Sequence, residues 1–154
     1  MIYLLDTNIV SEAAKETPDP SCLTWLKAAR TNCGLSTITL AELRYGIERR
    51  AEGKEKARLA QAFQFLVEDY RAQIFDFDWA AASEWGRYAA ELLAAHGADW
   101  WKTFDQRDTM IAAIARENGL TVDSTFSVLQ DSRSVYGRTP DSLAGNRGSR
   151  LPIG

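Results

Sequence analysis

Three acidic residues stand where their type and their surroundings could do chemistry. Asp6 directly follows the apolar run Ile2 to Leu5. An acid in that position is presented at the carboxyl end of a buried parallel strand, which is where open α/β sheets bind ligands. Glu42 lies in TLAELRYGIERR, in the first turn of a predicted helix. Asp108 opens DTMIAAIARENG, whose Met110, Ile111, Ile114 and Ala115 share an inward face. Each acid also has an ordinary reading: Asp6 as the cap of the helix after it, Glu42 as a capping or helix-dipole carboxylate, Asp108 as an N-terminal helix acid. Their common chemistry, if they converge, is that of hard oxygen donors, which suit Mg²⁺ or Mn²⁺. Other chemistries have no visible support. The single histidine, His96, ends a predicted helix before Gly97, so a Cys or Ser nucleophile lacks a base, and the glycine-rich phosphate loops are absent.

The elements that must position these acids alternate between strand and helix. Ile2 to Leu5 reads as the first strand and Asn8 to Ala14 as a short helix. Ser21 is the expected cap of a second helix with Leu23, Leu26 and Ala29 on one face, and Cys33 to Ser36 forms a second strand. Thr37 or Thr39 caps a helix over about Leu40 to Ala51. After the turn at Glu52 to Lys54, a long helix with Leu59, Phe63, Leu66 and Val67 at helical spacing runs to about Tyr70. Gln73 to Phe77 is a third strand. Asp78 then caps a helix to Ala95 that buries Ala81, Trp85, Tyr88 and Leu92, Gly97 to Phe104 is a loop, and Arg107 to Asn118 is a helix closed by Gly119. Leu120 to Val122 begins a fourth strand. The predicted class is α/β, with a mostly parallel central sheet flanked by helices.

Composition narrows the function classes. The chain has 154 residues, 45% hydrophobic and 25% charged, which suits one globular domain. A formal charge of -3 argues against a protein that coats nucleic acid by bulk positive potential, although an acidic metal site inverts its own potential when a divalent ion binds. Asp6 interrupts the first apolar run, no stretch is long enough for a membrane helix, and no secretory signal is visible, so a cytoplasmic location is expected. Cys22 and Cys33 lack metal or disulfide spacing and are expected as reduced, half-buried thiols.

LLDTNIVSE at the start, ITLAELRYGIER in the first third and DTMIAAIARENGLTV in the last third resemble, in order and spacing, the three sequence blocks of PIN-domain proteins. The resemblance is to the VapC and FitB toxins of bacterial type II toxin-antitoxin pairs, and it covers Met1 to Val122. It implies a PIN-like fold and a Mg²⁺-dependent endoribonuclease, with Mn²⁺ as an alternative ion. The metal and catalytic acids then fall on Asp6, Glu42 and Asp108, with Thr7 and Asn8 in support. The bound ion would polarise a phosphoryl oxygen and acidify a water for in-line attack, leaving a 5′-phosphate and a 3′-hydroxyl. The implied partners are an RNA substrate, a cognate antitoxin and a second copy of the chain, with DNA reached only through the antitoxin and no membrane.

After GLTV the resemblance stops. The family continues with a Thr-Arg-Asn type segment carrying a further metal-site residue, whereas this chain reads DSTFSVLQDSRSVYGR. Asp123 is the nearby acid and the candidate fourth ligand, a few positions early. Codons for Asp123, Ser124 and Thr125 read one base later can encode Thr-Arg, so a frameshift near Val122 is the expected origin of this ending. The domain is taken as 1–135, with 136–154 as an atypical tail.

Arg44, in the helix of Glu42, is the candidate RNA contact, while Arg49 and Arg50 read as solvated helix face. Trp100 and Trp101 could stack on bases or on a partner, but at least one is expected to cover the core. A competing reading from another class is a catalytically weakened binding subunit that acts by forming antitoxin and operator-DNA complexes.

Overall fold

A computed structural model describes residues 3–123. Four strands, β1 (Tyr3–Leu5), β2 (Cys33–Ser36), β3 (Ile74–Phe75) and β4 (Thr121–Asp123), form one sheet in the order β3-β2-β1-β4 with every pairing parallel. Six helices connect them: α1 (Thr7–Ala13), α2 (Pro20–Ala29), α3 (Thr37–Glu48), α4 (Lys54–Asp69), α5 (Trp79–His96) and α6 (Gln106–Glu117). The α/β class and the parallel sheet expected from the sequence are therefore present.

Alternation along β1 divides the core into two layers, because successive strand side chains point to opposite faces. Leu5 packs with Ile9, Val10, Cys22, Cys33 and Leu35 under α1 and α2. Leu4, on the other face, packs with Ala81, Ile111, Ile114 and Ala115 under α5 and α6. Such central strands are apolar throughout because both faces are covered. The chain proceeds from β1 outward to β3 and then returns to place β4 on the other side of β1. The sheet's topological switch therefore lies at β1, and Asp6 immediately follows that strand.

Several helix boundaries differ from the sequence reading for one reason: an upstream side chain provides a better cap. Asp19, not Ser21, caps α2 by accepting from the Ser21 and Cys22 amides, with Pro20 preorganised in the first helical position. Ser36, not Thr37 or Thr39, caps α3 by accepting from the Thr39 amide at 2.8 Å. That earlier start puts Glu42 in the second turn rather than the first, which removes its helix-capping role. Helix α6 is capped by Asp105, with Asp108 in its first turn as expected. Cys22 and Cys33 are fully buried rather than half-buried. Trp100 lies in a short 3₁₀ turn against the core while Trp101 is exposed, which is the division expected for that pair. Tyr45 is exposed and Ile47 buried, so only the latter is core. Among the described residues no helix is long and apolar enough to cross a membrane. The expected boundary at 135, the expected tail 136–154 and the ending for which a frameshift is the expected origin lie outside the described residues.

Candidate functional site

The site is built from three helix beginnings gathered at the carboxyl end of the sheet. Asp6 leaves β1 in an extended conformation and caps α1, its Oδ1 accepting from the Thr7 amide at 2.6 Å while Asn8 Nδ2 donates to Oδ2 at 3.3 Å. Only 6% of the residue is exposed. A carboxylate there has lost most of its water for two protein donors, and burial pushes its pKa up from 3.8 to about 6, with Asp108 and Glu42 adding repulsion. Asp108, half-buried in the first turn of α6, is also shifted upward, first by burial and then by the charges of Asp105 and Glu42. No hydrogen bond or ion pair reaches its carboxylate among the described residues.

Glu42 arrives on α3. The position of that helix is fixed by a buried hydroxyl chain: Ser36 Oγ lies 2.8 Å from Thr39 Oγ1, which donates to the Leu5 carbonyl at 3.2 Å. The beginning of α3 is thereby tied to the last residue of β1, the neighbour of Asp6. Helix α6 is fixed on its other side by Trp85 Nε1, which donates to Thr109 Oγ1 at 2.9 Å, while Thr109 donates in turn to the Gln106 carbonyl.

Both oxygens of Glu42 are occupied. Thr7 Oγ1 donates to Oε2, and the Arg107 guanidinium holds Oε1 through Nη1 at 3.0 Å. Arg107 is itself gripped by Asp105, through Nε at 3.0 Å and Nη2 at 2.6 Å. Thr7 and Asn8 thus divide their support: the amide serves Asp6 and the hydroxyl serves Glu42. The sequence reading missed Arg107 and Asp105. The visible signal was an arginine flanked by acids in DQRD, which reads equally as ordinary helix-start polarity.

The structure brings Glu42 and Asp108 close enough for their charges to act on Asp6, and Glu42 close enough to act on Asp108. Among the described residues, however, no three acid, histidine or cysteine side chains close around a common point as a finished metal cage. The donor chemistry nonetheless fits a hard divalent cation: the three carboxylates lie at one end of the sheet, Asp6 is costly to keep charged, and no described residue pairs with the Asp108 carboxylate. Of the three acids, Glu42 is the one held by an ion pair, to Arg107, as well as by Thr7. Asp123 ends β4 with its backbone in register with Leu5, beside β1. Arg44 is an exposed side chain paired with Glu48 at 2.6 Å.

An open groove of about 940 Å³ runs from Thr7 and Glu42 between α1, α3 and α4, with Val10, Leu43, Leu59 and Phe63 among its apolar walls.

A parallel α/β sheet with acids gathered at its switch point defines the class of protein, and comparison with known proteins supplies the family. The PIN domain family model matches residues 3–130, and the chain belongs to that family. It is 36% identical over 123 residues to the plasmid stability protein StbB of Pseudomonas syringae pv. tomato, covering 79% of this chain and 85% of that one. It is 32% identical over 123 residues to the toxin FitB of Neisseria gonorrhoeae, with the same coverage of 79% and 85%. Identity is again 32% over 123 residues with the VapC ribonuclease Y4jK of Sinorhizobium fredii, covering 79% and 84%. Among solved structures, FitAcB from Neisseria gonorrhoeae superposes with a TM-score of 0.70 at 30% identity, covering 82% of this chain and 88% of that one. FitAB bound to an IR36 DNA fragment gives 0.68 at 29% identity, covering 79% and 82%.

Proposed function

We propose that this protein is a Mg²⁺-dependent endoribonuclease, the toxin of a type II toxin-antitoxin pair, with Asp6, Glu42 and Asp108 as the acids that hold the ion. The observation that carries the reading is the buried Asp6 at the carboxyl end of β1, with the charges of Asp108 and Glu42 near enough to add to its upward shift, in a chain whose relatives include a ribonuclease and a toxin. An ion bound there supplies a Lewis acid for a phosphoryl oxygen and an acidified water for attack on the phosphodiester. The chain's own residues provide the rest. Asp6 is aimed by the Thr7 amide and Asn8, α3 delivers Glu42 from the hydroxyl chain anchored on Leu5, and Asp108 presents its carboxylate without a competing partner among the described residues. Mn²⁺ has the same preference for oxygen ligands and substitutes for Mg²⁺ in this account. Arg44, exposed on the same helix as Glu42, is assigned to an RNA phosphate.

The partner is a cognate antitoxin, as in the FitAB complexes, and DNA is reached through it, as the DNA-bound FitAB structure suggests. The groove beside Thr7 and Glu42, with Val10, Leu43, Leu59 and Phe63 among its walls, is assigned to a segment of that partner. A homodimer and a cytoplasmic location follow from the same toxin reading.

One observation favours the second reading, a binding subunit with weakened catalysis: Glu42 is committed to Arg107 and Thr7. Incubating the full chain with a structured RNA separates the two. The nuclease cleaves in Mg²⁺ and stops in EDTA; the binding subunit leaves the RNA intact in both while retaining antitoxin in co-purification.

A further inference from the structure

We propose that Arg107 is an internal counter-cation of the metal site, holding Glu42 until a divalent ion displaces it and thereby setting the ion concentration at which the site assembles. This rests on the metal-site reading above. The geometry is specific. Nη1 takes Glu42 Oε1 at 3.0 Å while Nε and Nη2 are fixed on Asp105, which also caps α6. The guanidinium is thus tethered by one carboxylate and extended toward the other in the planar fork that arginine provides. Asp108 lies one residue beyond, on the same helical turn, and the same cation acts on it electrostatically.

A divalent ion that recruits Glu42 must break that contact and accept a positive charge close by. Both effects weaken its binding. When Glu42 leaves, Asp105 keeps the guanidinium in place, and the released Nη1 faces the site with an unused donor suited to a phosphate oxygen of the substrate. The same residue therefore opposes the ion and, once displaced, offers a hand to the RNA backbone.

The test is calorimetric titration of Mg²⁺ into the full chain without RNA, comparing the parent with Arg107→Gln, Arg107→Lys and Asp6→Asn. Removing a half-exposed ion-pair partner should tighten Mg²⁺ binding by about two- to fivefold in Arg107→Gln. Arg107→Lys retains the positive charge and should bind Mg²⁺ within about twofold of the parent. Circular dichroism of each variant shows that its fold is kept. In the presence of RNA, Arg107→Gln should raise KM more than it lowers kcat. If Asp6→Asn loses Mg²⁺ binding but Arg107→Gln binds no more tightly than the parent, the counter-cation role is wrong and the metal site stands. If Asp6→Asn binds Mg²⁺ as well as the parent, the site reading fails and this inference falls with it.

Discussion

Asp6 combines burial, a capping role and a charge. An acid whose folded-state pKa lies above its unfolded value binds more protons in the native state between those two values, so native stability falls as pH rises through that window. For Asp6 the window runs from 3.8 to about 6. Urea unfolding in EDTA should therefore show stability decreasing from pH 4 toward pH 6.5, on the order of 2–3 kcal/mol if Asp6 acts alone. Asp6→Asn should remove most of that slope, because asparagine is a comparable helix cap without the charge. At pH 7 it should be as stable as the parent or more so, while its Mg²⁺ affinity falls by at least about tenfold. A variant that is strongly destabilised at pH 7 would mean that Asp6 serves the fold rather than a ligand. Thermal stabilisation by Mg²⁺ should likewise be greater at pH 7.5 than at pH 5, where protons compete for the same oxygens.

The position of the site depends on how β1 and α3 are joined, and the Ser36, Thr39 and Leu5 chain is that joint. Thr39→Val preserves shape and the amide bond to Ser36 Oγ, but removes the hydroxyl that accepts the Ser36 proton and donates to the Leu5 carbonyl in a fully buried place. The expected cost is about 1–3 kcal/mol in chemical denaturation, accompanied by weaker Mg²⁺ binding although no acid is touched. Unchanged metal affinity would show that α3 holds Glu42 by other contacts. At the far edge of the site, Asp123→Ala should change the Mg²⁺ concentration for half-maximal cleavage much less than Asp108→Ala does; equal losses would make Asp123 a working fourth ligand. Elements of this kind were largely legible in the sequence, because apolar runs ending in an acid and helical spacings survive any detail of packing. What local pattern could not supply was the choice among adjacent caps. Ser36, Thr37 and Thr39 are equivalent on paper, and only the path of the chain out of β2 selects Ser36 and moves Glu42 by a turn.

The whole molecule brings together acids drawn from residues 6, 42 and 108 by a sheet that reverses its direction of growth at β1. The sequence blocks single out the three acids as candidates, but not the ion pair that holds one of them. Arg107 reaches Glu42 across 65 positions of sequence, and nothing local marks a partner that distant. An ion bound only by the folded state should stabilise the whole domain: Mg²⁺ at ten times its dissociation constant should add about 1.4 kcal/mol, reversed by EDTA. The most direct test of the central claim is Mn²⁺ binding to the full chain, followed by electron paramagnetic resonance, for the parent and for Asp6→Asn, Glu42→Gln and Asp108→Asn. The account predicts one bound ion in the parent and an affinity at least about tenfold weaker in each of the three variants. Parent-like Mn²⁺ binding in any one of them would remove that residue from the site, and parent-like binding in all three would contradict the account.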